Sequence, residues 1–476
     1  MNTVTIQKIE TEADQLHFEK ALDMLETCRP QSGSDPDWNR LAARVKRGLF
    51  QGRQALTCAK RGGQDVPSRL ELAKCLFACG EVHQAGLLLE ELHRETDNPG
   101  CGLALAAWYG ETGQVHKGRR LLQQMDPDSL SGLQRMDWLI LAADLASFEE
   151  DTGEAFRLYK QALEDVKLCI PFNWQPLRRM LIFHNMADTR EQMEEPDEAL
   201  APYDSALKEM RLQKQRDDRV TDLSGYELEL LLSLANCLGN AENFETAHQR
   251  LQEAEALMQS VPPAQLSYFQ ARLLYISGLL AMNEEKNEEA VRYLEQALDL
   301  QEDLCARGRD KPEHAARCAY YLASVLPDAR ADRKLALYDR AWDVFDAVQE
   351  KEPSFYILAM ADMENERGRL AVSGESAAVH YRKAASLYDS LIRSHPEDLL
   401  ARRSRLTAWI NLFLLDPRPE ETDRIRQELS RLRQNDSGSL YLHTVVSWLL
   451  DNPRCPRKLH AWLENFRQHL DSPYGA

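Results

Sequence analysis

The 476-residue sequence has no stretch that alternates polar and apolar residues over a useful length, no long apolar run, and few cysteines. The first absence excludes sheet architectures, because a half-buried strand needs a period of two. The most apolar run, Leu406–Leu415, is interrupted by Thr407 and Asn411 and is about half the ~20 residues a membrane helix needs. The first residues, MNTVTIQKIETEAD, carry no basic segment followed by an apolar stretch, so no secretory signal is read there. A soluble, cytoplasmic chain with no membrane partner is expected. Ten cysteines are scattered along the sequence at neither disulfide-framework nor zinc-site spacing. Cys75 and Cys79, four apart on one helix face, read as buried structural thiols, so no metal and no cofactor is expected.

Enzymatic signatures are missing as well. There is no HExxH, GxxxxGK[ST], GxSxG or strand-linked GxGxxG, and the twelve histidines never pair closely. The acidic pairs Glu194-Glu195, Glu284-Glu285 and Glu288-Glu289 fall in turns or first helical turns, where carboxylates favour the helix N-terminus. No catalytic residue is assigned, and the chain is not expected to be an enzyme.

What is present is charge in one place and helical periodicity nearly everywhere. The formal net charge is −18, with 43% apolar and 28% charged residues. Residues 1–135 carry 17 Lys+Arg against 18 Asp+Glu, residues 136–305 carry 15 against 33, and residues 306–476 carry 26 against 25. The acidity belongs to the middle. A general nucleic-acid or membrane-surface role is disfavoured, since phosphate neutralisation needs the opposite sign. Amphipathic helical periodicity over the rest predicts an all-α fold. Pro36, Pro67, Pro99, Pro312, Pro353, Pro396, Pro419 and Pro456 each precede an apolar-periodic segment and mark helix starts, because a first-turn proline forfeits no intrahelical bond. Pro202, a few residues after Pro196, predicts a late start or a kink.

The helices pair, and the pairs repeat. A small residue opens the second helix of each pair, a Leu or Tyr follows four residues on, and an Ala or apolar residue three further. The copies are Ala85/Leu89/Leu92, Gly118/Leu122/Met125, Ala155/Tyr159/Ala162, Ala199/Tyr203/Ala206, Ala247/Leu251/Ala254, Ala290/Leu294/Ala297 and Ala377/Tyr381/Ala384. The small residue lets two helices approach closely while the larger ones fill the groove between pairs. In a degenerate copy, Lys334 replaces the small residue ahead of Tyr338 and Ala341.

This pattern resembles the tetratricopeptide repeat family, most closely over Leu274–Ala297, where Leu274, Gly278, Ala290, Leu294 and Ala297 fall at family positions four, eight, twenty, twenty-four and twenty-seven. The stretches Leu72-Ala73…Leu76…Gly80…Ala85 and Leu105-Ala106…Tyr109…Gly113…Gly118 agree nearly as well, and weaker copies include Phe18…Ala21…Leu25 and Trp38…Ala42…Ala55. The resemblance implies an α-solenoid of roughly ten to eleven stacked helical hairpins. Marker steps of 30, 33 and 37 from Ala55 to Ala155 give way to 44, 48, 43, 44 and 43 up to Ala377, so later units have longer helices. Such units are similar to those of kinesin light chains and bacterial peptide-sensing regulators. We therefore divide the chain into short units over 1–135, long units over 136–396, and a degenerate C-terminal part over 397–476, where Trp409, Trp448 and Trp462 read as capping residues.

In the family, positions two, five, nine, twelve and thirteen point into a concave groove. Carried over, the resemblance selects His184, Asp188 and Gln192; Leu232, Asn236 and Asn240; and Arg272, Tyr275, Leu279, Met282 and Asn283. Asn amides can bond a peptide backbone, and Tyr and Met supply adaptable contact. The carboxylate clamp of heat-shock co-chaperones is absent: Leu232 and Ile276 stand where its Lys and Asn would be. The implied role is a non-catalytic interaction scaffold or regulatory subunit whose partner is a protein or peptide with basic segments. Trp38–Gly63 contains Arg40, Arg44, Lys46, Arg47, Arg53, Lys60 and Arg61 without an acidic residue, and Arg40, Arg44 and Arg47 share a helix face. That patch suits an acidic partner, RNA or a second copy, so self-association is possible. The apolar turn Ile170-Pro171-Phe172-Asn173-Trp174 is either a docking point or inter-repeat packing. A peptide-sensing switch, an RNA-binding repeat and a helical enzyme with carboxylates converging in a central cavity remain the alternatives.

Overall fold

A computed structural model describes residues 3–14, 18–30, 35–48, 52–79, 81–170, 175–192, 195–216, 223–261, 263–349, 351–394, 396, 398–415, 419–435 and 440–470. Pro171–Trp174, Gly80 and Glu194 lie outside the described residues, as do the side chains of Phe18 and Arg53. All regular structure among the described residues is helical, which is the all-α fold expected. The helices form two compact units, residues 1–352 and 353–476.

In the first unit the hairpins are α1 (Thr3–Asp14) with α2 (Phe18–Thr27), α3 (Pro36–Gly48) with α4 (Gly52–Ala59), α5 (Val66–Ala78) with α6 (Val82–Glu95), and α7 (Pro99–Glu111) with α8 (Val115–Gln123). The longer pairs follow: α9 (Gly132–Phe148) with α10 (Thr152–Cys169), α11 (Gln175–Gln192) with α12 (Pro196–Arg216), α13 (Leu223–Asn240) with α14 (Phe244–Leu257), α15 (Pro263–Asn283) with α16 (Asn287–Ala306), and α17 (Pro312–Val325) with α18 (Ala331–Val348). The second unit holds α19 (Pro353–Leu370) with α20 (Gly374–Ser394), α21 (Leu399–Leu415) with α22 (Pro419–Asn435), and α23 (Leu440–Asp451) with α24 (Arg457–Arg467). Within each unit the second helix of a hairpin, from α2 onward, also packs on the first helix of the next. That is the packing of tetratricopeptide-like repeats.

The division after Glu352 differs from the boundaries at 135/136 and 396/397 read from the sequence. Lengthening a helix or changing its surface charge does not interrupt packing: α9 rests on α7 and α8 as its predecessors do, and α20 continues onto α21. The acidity sorts with the first unit, which carries 41 Lys+Arg against 60 Asp+Glu, while the second carries 17 against 16.

The repeat markers do what their size predicts. Ala85, Ala155, Ala199, Ala247 and Ala290 are fully buried, as are Ala162, Ala206, Ala254 and Ala297 seven residues on. Lys334 is buried at the degenerate marker, its Nζ 3.9 Å from Asp328. Prolines open α3, α7, α17, α19 and α22, and Pro67 sits in the first turn of α5. The helix α12 starts at Pro196 and continues through Pro202, forfeiting one intrahelical bond rather than starting late. Four hairpin turns share one device. Gly113, Glu150, Glu242 and Glu285 adopt left-handed φ of 76°, 63°, 57° and 60°, and the next N–H reaches back five residues, as from Gln114 to the Tyr109 carbonyl at 2.8 Å. This Schellman closure satisfies the last carbonyls of each first helix and turns the chain sharply into the second.

The first unit also closes on itself. The turn after α16 meets the end of α5: a Cβ on Gly308 (φ 64°) would lie 1.7 Å from the Cys79 carbonyl oxygen. Likewise a Cβ on Gly113 would lie 2.7 Å from Val348 Cα. Both positions are glycine because the backbones touch there and φ is left-handed. Charged pairs line the same seam: Lys311 donates to Glu111, Lys351 Nζ stands 4.7 Å over the Phe148 ring, and the Glu352 N–H donates to the Phe148 carbonyl at 2.9 Å.

Candidate functional site

The first helices α9, α11, α13 and α15 carry a continuous polar wall, and the closing segment around Glu352 faces part of it. The wall begins with a tyrosine from each of α10 and α12. Tyr159 Oη donates to Asp144 at 2.7 Å, and the Tyr203 hydroxyl is shared between Asp188 at 2.6 Å and Glu191 at 2.8 Å. Both Tyr–Asp pairs are fifteen residues apart, linking repeat position twenty-four to position nine. Where position nine is Asn236 or Leu279, position twenty-four is Leu251 or Leu294. In these two units the hydroxyl faces a carboxylate, as a buried phenol requires a partner.

Amides then join one helix to the next. Asn185 Nδ2 donates to Asp144 at 2.8 Å, Asn236 and Asn240 both donate to Glu191 Oε1, and Asn283 Nδ2 donates to Asn240 Oδ1 at 3.2 Å. Ser147 Oγ donates to Gln192 Oε1 at 2.8 Å, and Gln192 Nε2 donates to Glu352 at 3.3 Å. Arg272 Nη2 donates to Glu229 Oε1 at 2.7 Å. On the closing side, Arg317 bonds Glu352, and Lys351 Nζ stands 3.5 Å from Glu313.

Crowding by the wall itself sets the protonation of these groups. Burial, the largest influence, pushes the Asp144 carboxyl up to about 6 and Glu191 up to about 7, against the hydrogen bonds from Tyr159 and Tyr203. Glu229 is held below its ordinary value. Burial, the largest influence, opposes this, but it is outweighed by the charge and hydrogen bond of Arg272 together with the nearby His184 and His314. The Arg272 and Glu229 side chains keep 18% and 25% of their surface, so water still reaches a pair that protein surrounds.

A folded-state pKa above the unfolded one means that the folded chain binds the proton more tightly. The stability from Asp144 and Glu191 is therefore full below about pH 4 and is lost as pH rises through about 6 and 7. Glu191→Gln is expected to be more stable than the native chain at pH 8 by about 1–3 kcal/mol, with the difference shrinking at pH 4. Urea denaturation at the two pH values measures this; an equal difference at both would contradict it.

Of the residues selected from the sequence, His184, Asp188, Gln192, Asn236, Asn240, Arg272 and Asn283 stand together on this wall. His184 Nε2 is 3.5 Å from Asp188, and its ring centroid is 5.9 Å from that of Tyr203. Leu279 and Met282 are half-buried. Tyr275 is buried against Tyr321 and Leu232 is fully buried, so neither presents its side chain openly. The selection passed over Asp144, Glu191 and Glu229, although positions nine, twelve and two of the same repeat rule point to them. Arg317, Lys351 and Glu352 carry no repeat signal, because they reach the wall from across the seam.

The basic face of α3 is engaged within the chain. Arg40 pairs with Glu10 at 2.9 Å, and Arg47 pairs with Glu71 at 2.7 Å; Arg44 is half-buried and has a partner of its own. Ile170 is buried in its repeat core. In the second unit Trp462 stacks on Phe466 with centroids 4.8 Å apart, Trp409 lies beneath the Arg405 guanidinium at 4.3 Å, and Trp448 is 40% exposed. Among the described residues no group of three His, Cys, Asp or Glu is placed to hold a metal ion, and no helix is long and apolar enough to cross a membrane. Burial pushes the Cys237 and Cys305 thiols up to about 12, far from thiolate chemistry.

No family model and no curated protein matches the chain. Solved structures similar to it include a Rap protein complexed with competence and sporulation factor, at 13% identity and a TM-score of 0.40, covering 77% of this chain and 100% of that one. The apo form of the quorum sensor NprR from B. thuringiensis is 13% identical with a TM-score of 0.42, covering 77% and 98%. A signal-transduction ATPase with a tetratricopeptide repeat sensor, from Pyrococcus horikoshii, is 15% identical with a TM-score of 0.42, covering 82% and 55%. At these scores the neighbours do not bear on what this chain binds.

Proposed function

We propose that the chain is a non-catalytic interaction scaffold or regulatory subunit that holds an extended, basic peptide or protein segment along the wall of α9, α11, α13 and α15. The observation that carries this is the preassembled ladder from Asp144 through Glu191 to Asn283, in which side chains already hold one another across four helices. A site ordered in advance loses little entropy on binding. Exposed Asn283 offers its amide oxygen to a peptide N–H, and Asp188, together with the Glu229 that Arg272 shares, attracts Lys or Arg side chains. The acidity of the first unit also steers a basic partner from a distance.

A peptide-sensing switch is the second reading, favoured by the closure seam, since Gln192 belongs to the wall and bonds Glu352 of the closing segment. A ligand that competes for Gln192 would act on the seam directly. Catalysis finds less support although carboxylates do converge, because Asp144 and Glu191 accept from structural Tyr and Asn donors that would compete with a substrate. RNA binding through α3 is disfavoured by the pairs that Arg40 and Arg47 make with Glu10 and Glu71.

Affinity purification with mass spectrometry identifies the partner, and anisotropy with its labelled basic segment tests the mode. Raising salt from 50 to 500 mM is expected to weaken binding at least about tenfold, and D188N/E229Q to remove most of that dependence. Salt-insensitive binding, or binding indifferent to D188N/E229Q, sinks the proposal.

A further inference from the structure

We infer that the second unit contains a binding site for a small oxyanion, phosphate or carboxylate, in the hollow formed by α20, α21 and α22. A cavity of about 250 Å³ opens there, lined by Arg382, Ser386 and Arg393 of α20, Trp409 of α21 and Arg424 of α22. Arg382, Ser386 and Arg393 stand at intervals of four and seven residues, so one helix face delivers all three.

What marks the site is three arginines, without a carboxylate partner among the described residues, converging on one cavity. Several arginines of this unit are matched, Arg367 bonding Glu364 at 2.6 Å and Arg402 and Arg405 sharing Glu428 at 3.2 and 2.9 Å, whereas others such as Arg454 and Arg433 meet a carbonyl or an aromatic ring. Around the hollow the matching stops. Among the described residues no carboxylate lies within ion-pair distance of Arg382, Arg393 or Arg424, and all three are exposed. Two carboxylates also line the cavity, but Asp389 is taken by Arg405 at 2.6 Å and Glu421 has a partner of its own. Guanidinium groups gathered around a concavity repel one another until an anion joins them, and their forked donors fit phosphate and carboxylate bidentately. Ser386 adds a neutral hydroxyl donor and Trp409 an apolar wall. The space is on the order of eight water volumes, enough for phosphate, pyrophosphate or a small tricarboxylate.

This site does not depend on the peptide-binding proposal for the first unit. Titrating the full chain calorimetrically with inorganic phosphate, pyrophosphate and citrate, at constant ionic strength, is expected to give one saturable site with Kd below about 1 mM for at least one of them. Binding of phosphate or pyrophosphate without citrate assigns a phosphate ligand, and the reverse assigns a carboxylate. R382Q/R393Q/R424Q is expected to weaken that binding at least tenfold. Because none of these arginines supports another side chain through an ion pair among the described residues, the melting temperature is expected to stay unchanged. Absence of saturable binding by all three probes at 10 mM, or unchanged affinity in R382Q/R393Q/R424Q, overturns the inference.

Discussion

Glu428→Ala is expected to destabilise the second unit by about 3–5 kcal/mol, because it leaves buried Arg402 without a carboxylate and buried Arg405 with only Asp389 at its edge. Glu428 is 4% exposed, and Arg402 and Arg405 are 9% and 7% exposed. Arg402 Nη1 reaches Glu428 at 3.2 Å and Arg405 Nη2 at 2.9 Å, so one carboxylate holds the two arginines that position α21 against α22. Arg402 also donates to the Pro396 carbonyl at 2.6 and 2.8 Å, which ties the chain entering α21 to the same cluster. The melting temperature of this unit should fall on the order of 10–20 °C in calorimetry. Glu428→Gln retains an acceptor oxygen and should lose less. The double change E428L/R405M should recover part of the loss, since removing both members of a buried pair costs less than removing one. A loss below about 1 kcal/mol for Glu428→Ala would show that water solvates the cluster after all.

Gly308→Val is expected to open the seam of the first unit while leaving its hairpins intact. A Cβ there would stand 1.7 Å from the Cys79 carbonyl oxygen, and the left-handed backbone at φ 64° excludes a β-branched residue. Overpacking and strain together cost about 3 kcal/mol or more, and moving the turn away from α5 is the simplest relief. The Lys311–Glu111 ion pair and the Glu352 N–H bond to the Phe148 carbonyl, which cross the seam, would separate with it. Small-angle scattering should report a larger radius of gyration, and amide exchange should quicken at 308–313 and 348–352, with helical circular dichroism unchanged. Scattering curves that superimpose would mean that the seam is not held there. If the switch reading is right, the same variant changes affinity for the peptide.

Much of this was legible in the repeat pattern. Small residues at Ala155, Ala199, Ala247 and Ala290 require close helix approach wherever they stand, and all are fully buried. Charge location was legible too, and the acidity falls within the first unit. The carboxylates with altered protonation were available to the same rule, since Asp144 and Glu191 stand at repeat positions that face the wall. Their significance was hidden because a one-dimensional pattern does not say how deeply a position lies. Tyr275 and Leu232 obey the same rule and end up buried, for the same reason.

By itself the sequence determined the helical class, the hairpin repeat, the change in unit length and the sign of the first unit's charge. Each of these follows from interactions spanning a few dozen residues: helical periodicity, first-turn prolines, and the small residue that lets adjacent helices meet. Tertiary structure alone decided that the first unit returns on itself, that Gly308 meets Cys79 and Lys311 meets Glu111, and that the compact units divide at Glu352 rather than where the repeats lengthen. Small rotations between successive hairpins accumulate over the stack, and that sum determines which turns meet some 200 residues apart. No local pattern records it.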